Sequence, residues 1–233
     1  MANYCSNVIA IYRDDDSEKS RRQNQDLYIK LESLGTEHTV LKSTHKSEQS
    51  WYGNILTMCG EDAKDVDGRG SIEDVSWEDD GNEDGGWIRL QTETAWEPQM
   101  EIIEKLIEKY YPNLTFEYIA EECGCEIYEN SDTSGRFFKD RYKLDFDFSD
   151  LEDGYSDQDY YSNDTDFKNA VEDVFKEFAE ALKKRHFPKI TIEDKLYHSG
   201  EEKAFSMIKQ MQDYVSEHED DLPSSYFSAH KFD

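Results

Sequence analysis

A long apolar run is missing from this chain. No stretch approaches the ~20 residues that a membrane-crossing helix needs, so no membrane span is expected. Hydrophobic residues make up 36% of the 233 positions, low for a globular chain, and charged residues make up 34%. Cysteine is sparse: Cys5, Cys59, Cys123 and Cys125 form no CxxC pair, which excludes a zinc ribbon or a thioredoxin-like redox site. Cys123-Gly-Cys125 is too isolated to make a metal site alone. A reduced, cytoplasmic protein is the simplest reading, and the sequons at Asn113 and Asn163 then carry no meaning. The opening MANYCSNVIAIYRDDD has no basic n-region and turns acidic after 13 residues, so no signal peptide is expected.

Positive charge is also scarce. Lys and Arg number 26 against 54 Asp and Glu, a net charge of −28. Such a field repels phosphate backbones and anionic lipid, so direct binding to nucleic acid or membrane is not expected. It suits a basic protein partner, a cation, or plain solubility.

Catalytic frames are absent as well. The chain has no GxSxG, P-loop or GxGxxG, and its six His residues stand in no HExxH-like spacing. Cys123 and Cys125 sit beside Glu121, Glu122 and Glu126, whose charge raises a thiol pKa, opposite to what a nucleophile needs. Carboxylate pairs are so common here that pairing says nothing about general acid–base work. The segment DVDGRGSIEDVS (65–76) resembles a calcium loop, with Asp65, Asp67 and Gly70 in place. Arg69 stands where a ligand belongs, and Ser76 where the bidentate Glu belongs, so a turn is the better reading. No catalytic residue, metal site or cofactor is therefore assigned.

What is present argues for a real core. There are 4 Trp, 15 Tyr and 12 Phe, which an unstructured acidic chain rarely carries. SNVIAIYR (6–13) reads as a buried central strand. Asp14–Ser17 then supply a cap and favourable charge for a helix carrying Leu27, Tyr28, Leu31 and Leu34. WYGNILTMCG (51–60) suits either a short helix or a strand. SIEDVSW and GWIRLQTET read as hairpin partners. Glu97-Pro98 is expected to open a second helix whose apolar face is Ile102, Ile103, Leu106, Ile107 and Tyr110. LTFEYIA (114–120), GCEIYEN (124–130) and RFFKDRYKLDF (136–146) read as further strands. The order β-α-(β)-β-β-α-β predicts an α+β fold: a ferredoxin-like (split βαβ) antiparallel sheet with its helices on one face. Two further helices are expected. One carries Phe167, Val171, Val174, Phe175, Phe178 and Leu182 on one face. The other starts at a capping box, Ser199 to Glu202, and runs to Leu222-Pro223. The expected organisation is a core domain over 1–145, an acidic aromatic connector over 146–166 and a two-helix C-terminal appendage over 167–233.

Several spaced motifs resemble the YubB-like (Api92-like) ferredoxin-like family of phage and plasmid proteins. MANYCSN resembles the family's opening Met-x-Asn-Trp-Cys-x-Asn, with Tyr4 in place of the Trp. WYGNIL resembles its Trp-x-Gly-Asn element, GRGSI its short strand, and TETAWEP its Thr-Ala-Trp-x-Pro. In AEECGCEIYENSDTSGRFFKDR, Cys123 stands where the family usually has Pro. The resemblance covers roughly 1–145. It implies architecture and a mobile-element context, and it brings no catalytic residues. Within it, Trp96 is expected as a buried staple at the strand-to-helix turn.

Three acidic features are the candidate contact surfaces. Glu97, Glu101, Glu104 and Glu108, spaced 4, 3 and 4, are expected on one helix face, ~4.5–6 Å apart along the axis. That is sparser than the phosphates of one DNA strand, and an ordinary solvated helix face would look the same. The hairpin tip carries seven carboxylates, among them Asp79, Asp80, Glu83 and Asp84. The segment 144–167 carries nine and no Lys or Arg, including Asp145, Asp147, Asp150, Glu152, Asp153, Asp157 and Asp159. Converging in space, these groups could imitate a nucleic acid and occupy a basic groove on another protein. Scattered, they only solubilise. The expected role is a non-catalytic binding protein with a basic protein partner. A cation-binding or small-ligand module is the alternative.

Overall fold

The computed structural model describes residues 3–35, 50–61, 68–79, 81, 85–190, 197 and 199–233. The chain forms two compact units, Met1–Phe138 and Lys139–Asp233.

The first unit contains β1 (Tyr4–Arg13), α1 (Glu18–Gly35), α2 (Asn54–Thr57), β2 (Gly70–Glu78), β3 (Trp87–Ala95), α3 (Glu101–Tyr110), β4 (Leu114–Glu122) and β5 (Ile127–Asn130). Its five-stranded sheet has the order β2-β3-β1-β4-β5, and every adjacent pair is antiparallel. The first four positions are the ferredoxin-like order, with β5 added at the β4 edge. The segment left open between helix and strand is the short helix α2, while Trp51 bridges Ser71 of β2.

Strand alternation sends Ile9 and Ile11 to one face, opposite Leu90 and Ile88. Those residues meet Leu27, Leu31 and Leu34 of α1 and Ile102, Ile103 and Leu106 of α3 in one core. α1 starts where the Asp-rich turn ends: Ser20 N–H donates to Ser17 Oγ at 3.2 Å, and Asp15 Oδ1 accepts from Ser17 N–H at 2.9 Å. The Ser20 and Ser17 hydrogen bonds hold the Asp15 carboxyl down at about 2. On the opposite face, Phe137 packs against Tyr12 and Trp87 with ring centroids 4.7 and 5.0 Å apart. The turn carrying Phe137 hangs on Asp132, which is 1% exposed. Its Oδ2 accepts from Phe137 N–H at 2.6 Å and Phe138 N–H at 3.0 Å, and its Oδ1 accepts from Ser134. Burial alone would raise this carboxyl, but the hydrogen bonds from Ser134 and three backbone amides outweigh it and hold it below the usual range.

The second unit corrects the expected domain plan. The stretch 136–146 is not one strand of the first sheet: β6 covers only Tyr142–Asp147 and belongs to a second sheet. The expected connector 146–166 contains β7 (Ser156–Tyr161), followed by α4 (Asp164–Lys184), α5 (Gly200–Glu217) and β8 (Tyr226–Lys231). The order is β7-β6-β8. The two expected helices are present, with three strands to pack on. Phe146 and Leu144 face the same side as Phe227 and Ala229 and join Phe167, Phe178, Met207 and Met211 in a second core. Phe178 stacks edge-on with Phe227 at 4.8 Å, and Tyr142 lies flat on Phe167 at 4.7 Å. Both helix caps are side-chain caps: Asn163 Oδ1 accepts from Asp166 N–H at 2.9 Å, and Ser199 Oγ from Glu202 N–H at 3.1 Å. The last helix stops at Glu217, short of the expected Leu222-Pro223: His218 is its C-cap, and a turn in which the His218 carbonyl accepts from Leu222 N–H at 2.8 Å leads on to β8.

Among the described residues, no helix is long and apolar enough to cross a membrane. Gly70–Ser76 of the calcium-like loop lies in strand β2; Asp65 and Asp67 lie outside the described residues.

Candidate functional site: an anionic cleft beside the strand-to-helix turn

The stretch TETAWEP does not open the helix at Pro98. Trp96 and Gln99 have φ of +73° and +51°, left-handed values that a right-handed helix cannot contain. α3 therefore begins at Glu101. Trp96 is also not the expected buried staple: it is 42% exposed. The turn is held from below by a buried polar chain. Asn7 Nδ2 donates to Thr94 Oγ1 at 2.9 Å, and Thr94 Oγ1 donates to the Glu97 carbonyl at 2.6 Å. Asn7 Nδ2 also reaches Thr92 Oγ1 at 3.2 Å. These groups come from the helix-side positions of β1 and β3, opposite each other in register. The threonines of TETAWEP thus fasten the turn, and the Trp is left outside.

A cleft of about 350 Å³ opens at this turn. Glu97, Pro98, Gln99, Met100 and Glu101 form one wall, and Tyr118, Ile127 and Glu129 form the other. Three carboxylates from two parts of the chain therefore share one opening. Tyr118 O–H donates to Glu129 Oε2 at 2.7 Å. Burial first, then this bond and the nearby negative charge, push the Tyr118 hydroxyl well above its ordinary value, so it stays a donor. Gln99 is 9% exposed; its Nε2 donates to the Ala95 carbonyl at 3.0 Å, and its Oε1 is buried with no hydrogen-bond partner among the described residues. Cys5 contributes no reactivity: burial, helped by the charges of Glu129 and Glu122, pushes its thiol up to about 12. The Cys125 thiol is likewise raised, by its hydrogen bond to Glu122.

From the cleft, the helix carries the acidic stripe onward. Glu101, Glu104 and Glu108 are exposed, while Ile102, Ile103, Leu106 and Ile107 are buried. Glu101 is paired with Lys105 at 3.0 Å. Glu97 is not on the helix, so the expected four-member stripe is three helical residues plus one turn residue. A larger groove of about 700 Å³ is lined by Asp26, Lys30, Cys59 and Tyr111 among others. Its two carboxylates are each paired with a cation: Arg22 with Glu18, and Lys30 Nζ with Asp26 at 2.6 Å, Lys30 also donating to Tyr111 Oη at 3.0 Å. The smaller cleft, lined by three carboxylates and no Lys or Arg, is the better candidate.

The other expected acids do not form one surface. Asp79 stands exposed at the end of β2; Asp80, Glu83 and Asp84 lie outside the described residues. In the second unit, alternation divides the connector acids. Asp145 and Asp147 share the sheet face of Tyr226 and Ser228, and Tyr226 O–H donates to Asp145 at 2.8 Å. Asp157 and Asp159 pair with Phe146 and Leu144 and so take the other face. Asp150, Glu152 and Asp153 sit in the β6–β7 turn, where Lys184 pairs with Asp153 and Arg185 binds the Asp150 carbonyl at 3.2 Å.

Gln99 and Glu129 are cleft residues that the sequence reading missed. Glu129 could be found from register: it lies opposite Ala120, on the side of Tyr118. Gln99 carries no such signal, because its burial follows from a left-handed turn.

Comparison with known families now bears on this fold. Residues 73–174 match the family described as a ferredoxin-like domain in Api92-like protein. The match begins inside β2, contains β3, α3, β4 and β5, and ends within α4, so it includes every residue of the cleft. It overlaps the resembling region over 73–145 and continues into the second unit. No curated protein and no solved structure matches the chain.

Proposed function

We propose that this chain is a non-catalytic acidic binding protein of mobile-element type. It acts in the cytoplasm and occludes a basic, nucleic-acid-binding surface of a host protein. The observation that supports this reading is the anionic cleft continued by the exposed Glu101–Glu104–Glu108 stripe of α3. A rigid helix presents these carboxylates, so docking costs little ordering. The net charge of −28 steers a basic partner toward it and keeps nucleic acid away.

The test is capture of a partner from the native host at low and high salt, with the variant Glu101→Gln/Glu104→Gln/Glu108→Gln as control. Capture is expected to fall steeply with salt, because the Debye length shrinks to ~8 Å at physiological ionic strength, and to fail in the variant. A partner held equally by both proteins and at both salts would sink the reading. A small-ligand module is the second reading, and the Tyr118 and Ile127 side of the cleft, which adds apolar lining to its carboxylates, is what favours it.

A further inference from the structure

We propose that the outer edge of β8, in the second unit, receives an extended, basic segment of another protein as an added strand. This surface is distinct from the cleft of the first unit. It goes beyond the occlusion reading and shares with it only the positive charge of the partner.

Four strands end the two sheets, and three of them are guarded. β2 carries Glu73, Asp74 and Glu78, a register shift between Ile72 and Asp74, and the Trp51 bridge to Ser71 near its start. β5 is only four residues long and holds Glu129. β7 turns Asp157 and Asp159 to the side of Phe146 and Leu144. Acids, bulges and short length each deter pairing at an edge. β8, YFSAHK, has no acid and pairs with β6 in unbroken register. Among the described strands only β8 and the central β1 lack Asp and Glu, in a chain with 54 of them.

The backbone of this edge is aimed for pairing. Phe232 N–H donates to the Arg141 carbonyl at 2.9 Å, on the β6 side. Alternation then turns the N–H and C=O of Ser228 and His230 toward β6, and those of Phe227, Ala229 and Lys231 outward. Gln212 Nε2 meets the outward Phe227 carbonyl at 2.7 Å. Among the described residues no strand takes up Ala229 and Lys231 on that side.

The side chains select the occupant. On the helix side, Phe227 and Ala229 extend the second core, which suits apolar residues opposite them. On the other face, Ser228 stands between the edge and Asp145, and Tyr226 between the edge and Asp147. Ser228 is too short to stop a long cationic side chain from reaching over it to Asp145. Tyr226 is 50% exposed and offers a ring for a guanidinium to lie on. The third row runs from His230 to Lys143, so the favoured register keeps the cations at the Tyr226 end. A second copy of this chain fits worse, because it brings another charge of −28 to the same edge.

The test titrates the isotope-labelled full chain with acetyl-Val-Ser-Val-Arg-Val-Arg-amide, read by two-dimensional amide NMR. Antiparallel docking sets its arginines opposite Ser228 and Tyr226. Saturable shifts and slowed hydrogen exchange are expected at the Ala229 and Lys231 amides. Exchanging both arginines for glutamate should weaken binding about tenfold or more. Asp145→Asn should weaken the arginine peptide and not the glutamate one. N-methylation of the second valine, which pairs with Ala229, should abolish binding. Ala229→Pro should do the same in a chain that still melts cooperatively, since an edge position tolerates proline. If that variant does not fold, the N-methylated peptide decides. Equal binding of the arginine and glutamate peptides, or of the N-methylated one, overturns the proposal. Protection of the same amides that grows with chain concentration, without peptide, makes a second copy the occupant and also overturns it. Peptide binding at β8 with no partner captured from the host sinks the occlusion reading alone. Capture that persists while the peptide leaves Ala229 and Lys231 unprotected sinks this edge alone.

Discussion

Asp132 is one of 54 acidic residues, yet its carboxylate is buried and saturated with donors. Replacing it with Ala strands the amides of Phe137 and Phe138 and loosens the turn that lays Phe137 on the sheet. Asp132→Ala is expected to cost about 2 kcal/mol at neutral pH, measured by denaturant unfolding. The folded pKa is depressed, so this stability is present above the unfolded value of ~3.9 and is lost as pH falls through the folded one. The gap between wild type and variant should therefore narrow in acid. A gap that holds constant into strong acid would mean the carboxylate charge is irrelevant. Trp96 invites the opposite expectation. A bulky residue held at φ +73° with its ring half in solvent is strained. Trp96→Gly should raise stability by about 1 kcal/mol, since a left-handed L-residue costs ~1–2 kcal/mol. A thermal melt reads this directly, and a lower melting point would show that the indole contributes packing instead.

At the scale of elements, β7 gives a reason for some acids that needs no partner. It is an edge strand, bonded only to β6 in its sheet, with five of its six residues exposed. Asp157 and Asp159 take positions on the face of Phe146 and Leu144, where an apolar residue would otherwise sit. Charges pointing inward on an edge are a known guard against pairing with another chain. The double substitution Asp157→Val/Asp159→Val should leave the fold intact and promote self-association, visible by light scattering as concentration rises. A variant that stays monomeric would return these residues to the pool of contact candidates. The elements also mark how far periodicity carries. The apolar faces of α1, α3 and α4 were legible because burial on one helix side imposes a 3.6-residue repeat on Leu, Ile, Val and Phe. The start of α3 was not, because Glu-Pro reads as a helix opening unless the left-handed φ of Trp96 and Gln99 is known. β7 was obscured by its own acids: a strand with Asp at alternate positions looks like a polar linker until it is seen to be an edge, whereas β6 was legible within 136–146 but belongs to the second sheet.

For the molecule as a whole, the charge of −28 is a stability term as well as a recognition term. Like charges packed on a compact surface repel one another, and added salt screens that repulsion. The melting temperature is expected to rise from low to moderate salt, the reverse of a protein held together by surface ion pairs. A flat or falling trend would show that pairs such as Lys105–Glu101 and Lys203–Glu172 outweigh the repulsion. The fragment Lys139–Asp233, with its own core around Phe178, should fold alone and melt cooperatively.

The amino-acid order by itself determined the ferredoxin-like succession of strands and helices, the apolar faces, the Ser199 cap of the last helix and the excess of negative charge. All of these are local, set by spacing along a few turns or by simple composition. Tertiary structure alone decided which carboxylates meet. Strand register drew Glu129 beside Tyr118, a left-handed turn buried Gln99 next to Glu97 and Glu101, and β alternation sent Asp145 and Asp157 to opposite faces. Proximity between residues far apart in the chain depends on how the elements pair and turn, and neighbouring residues do not encode it.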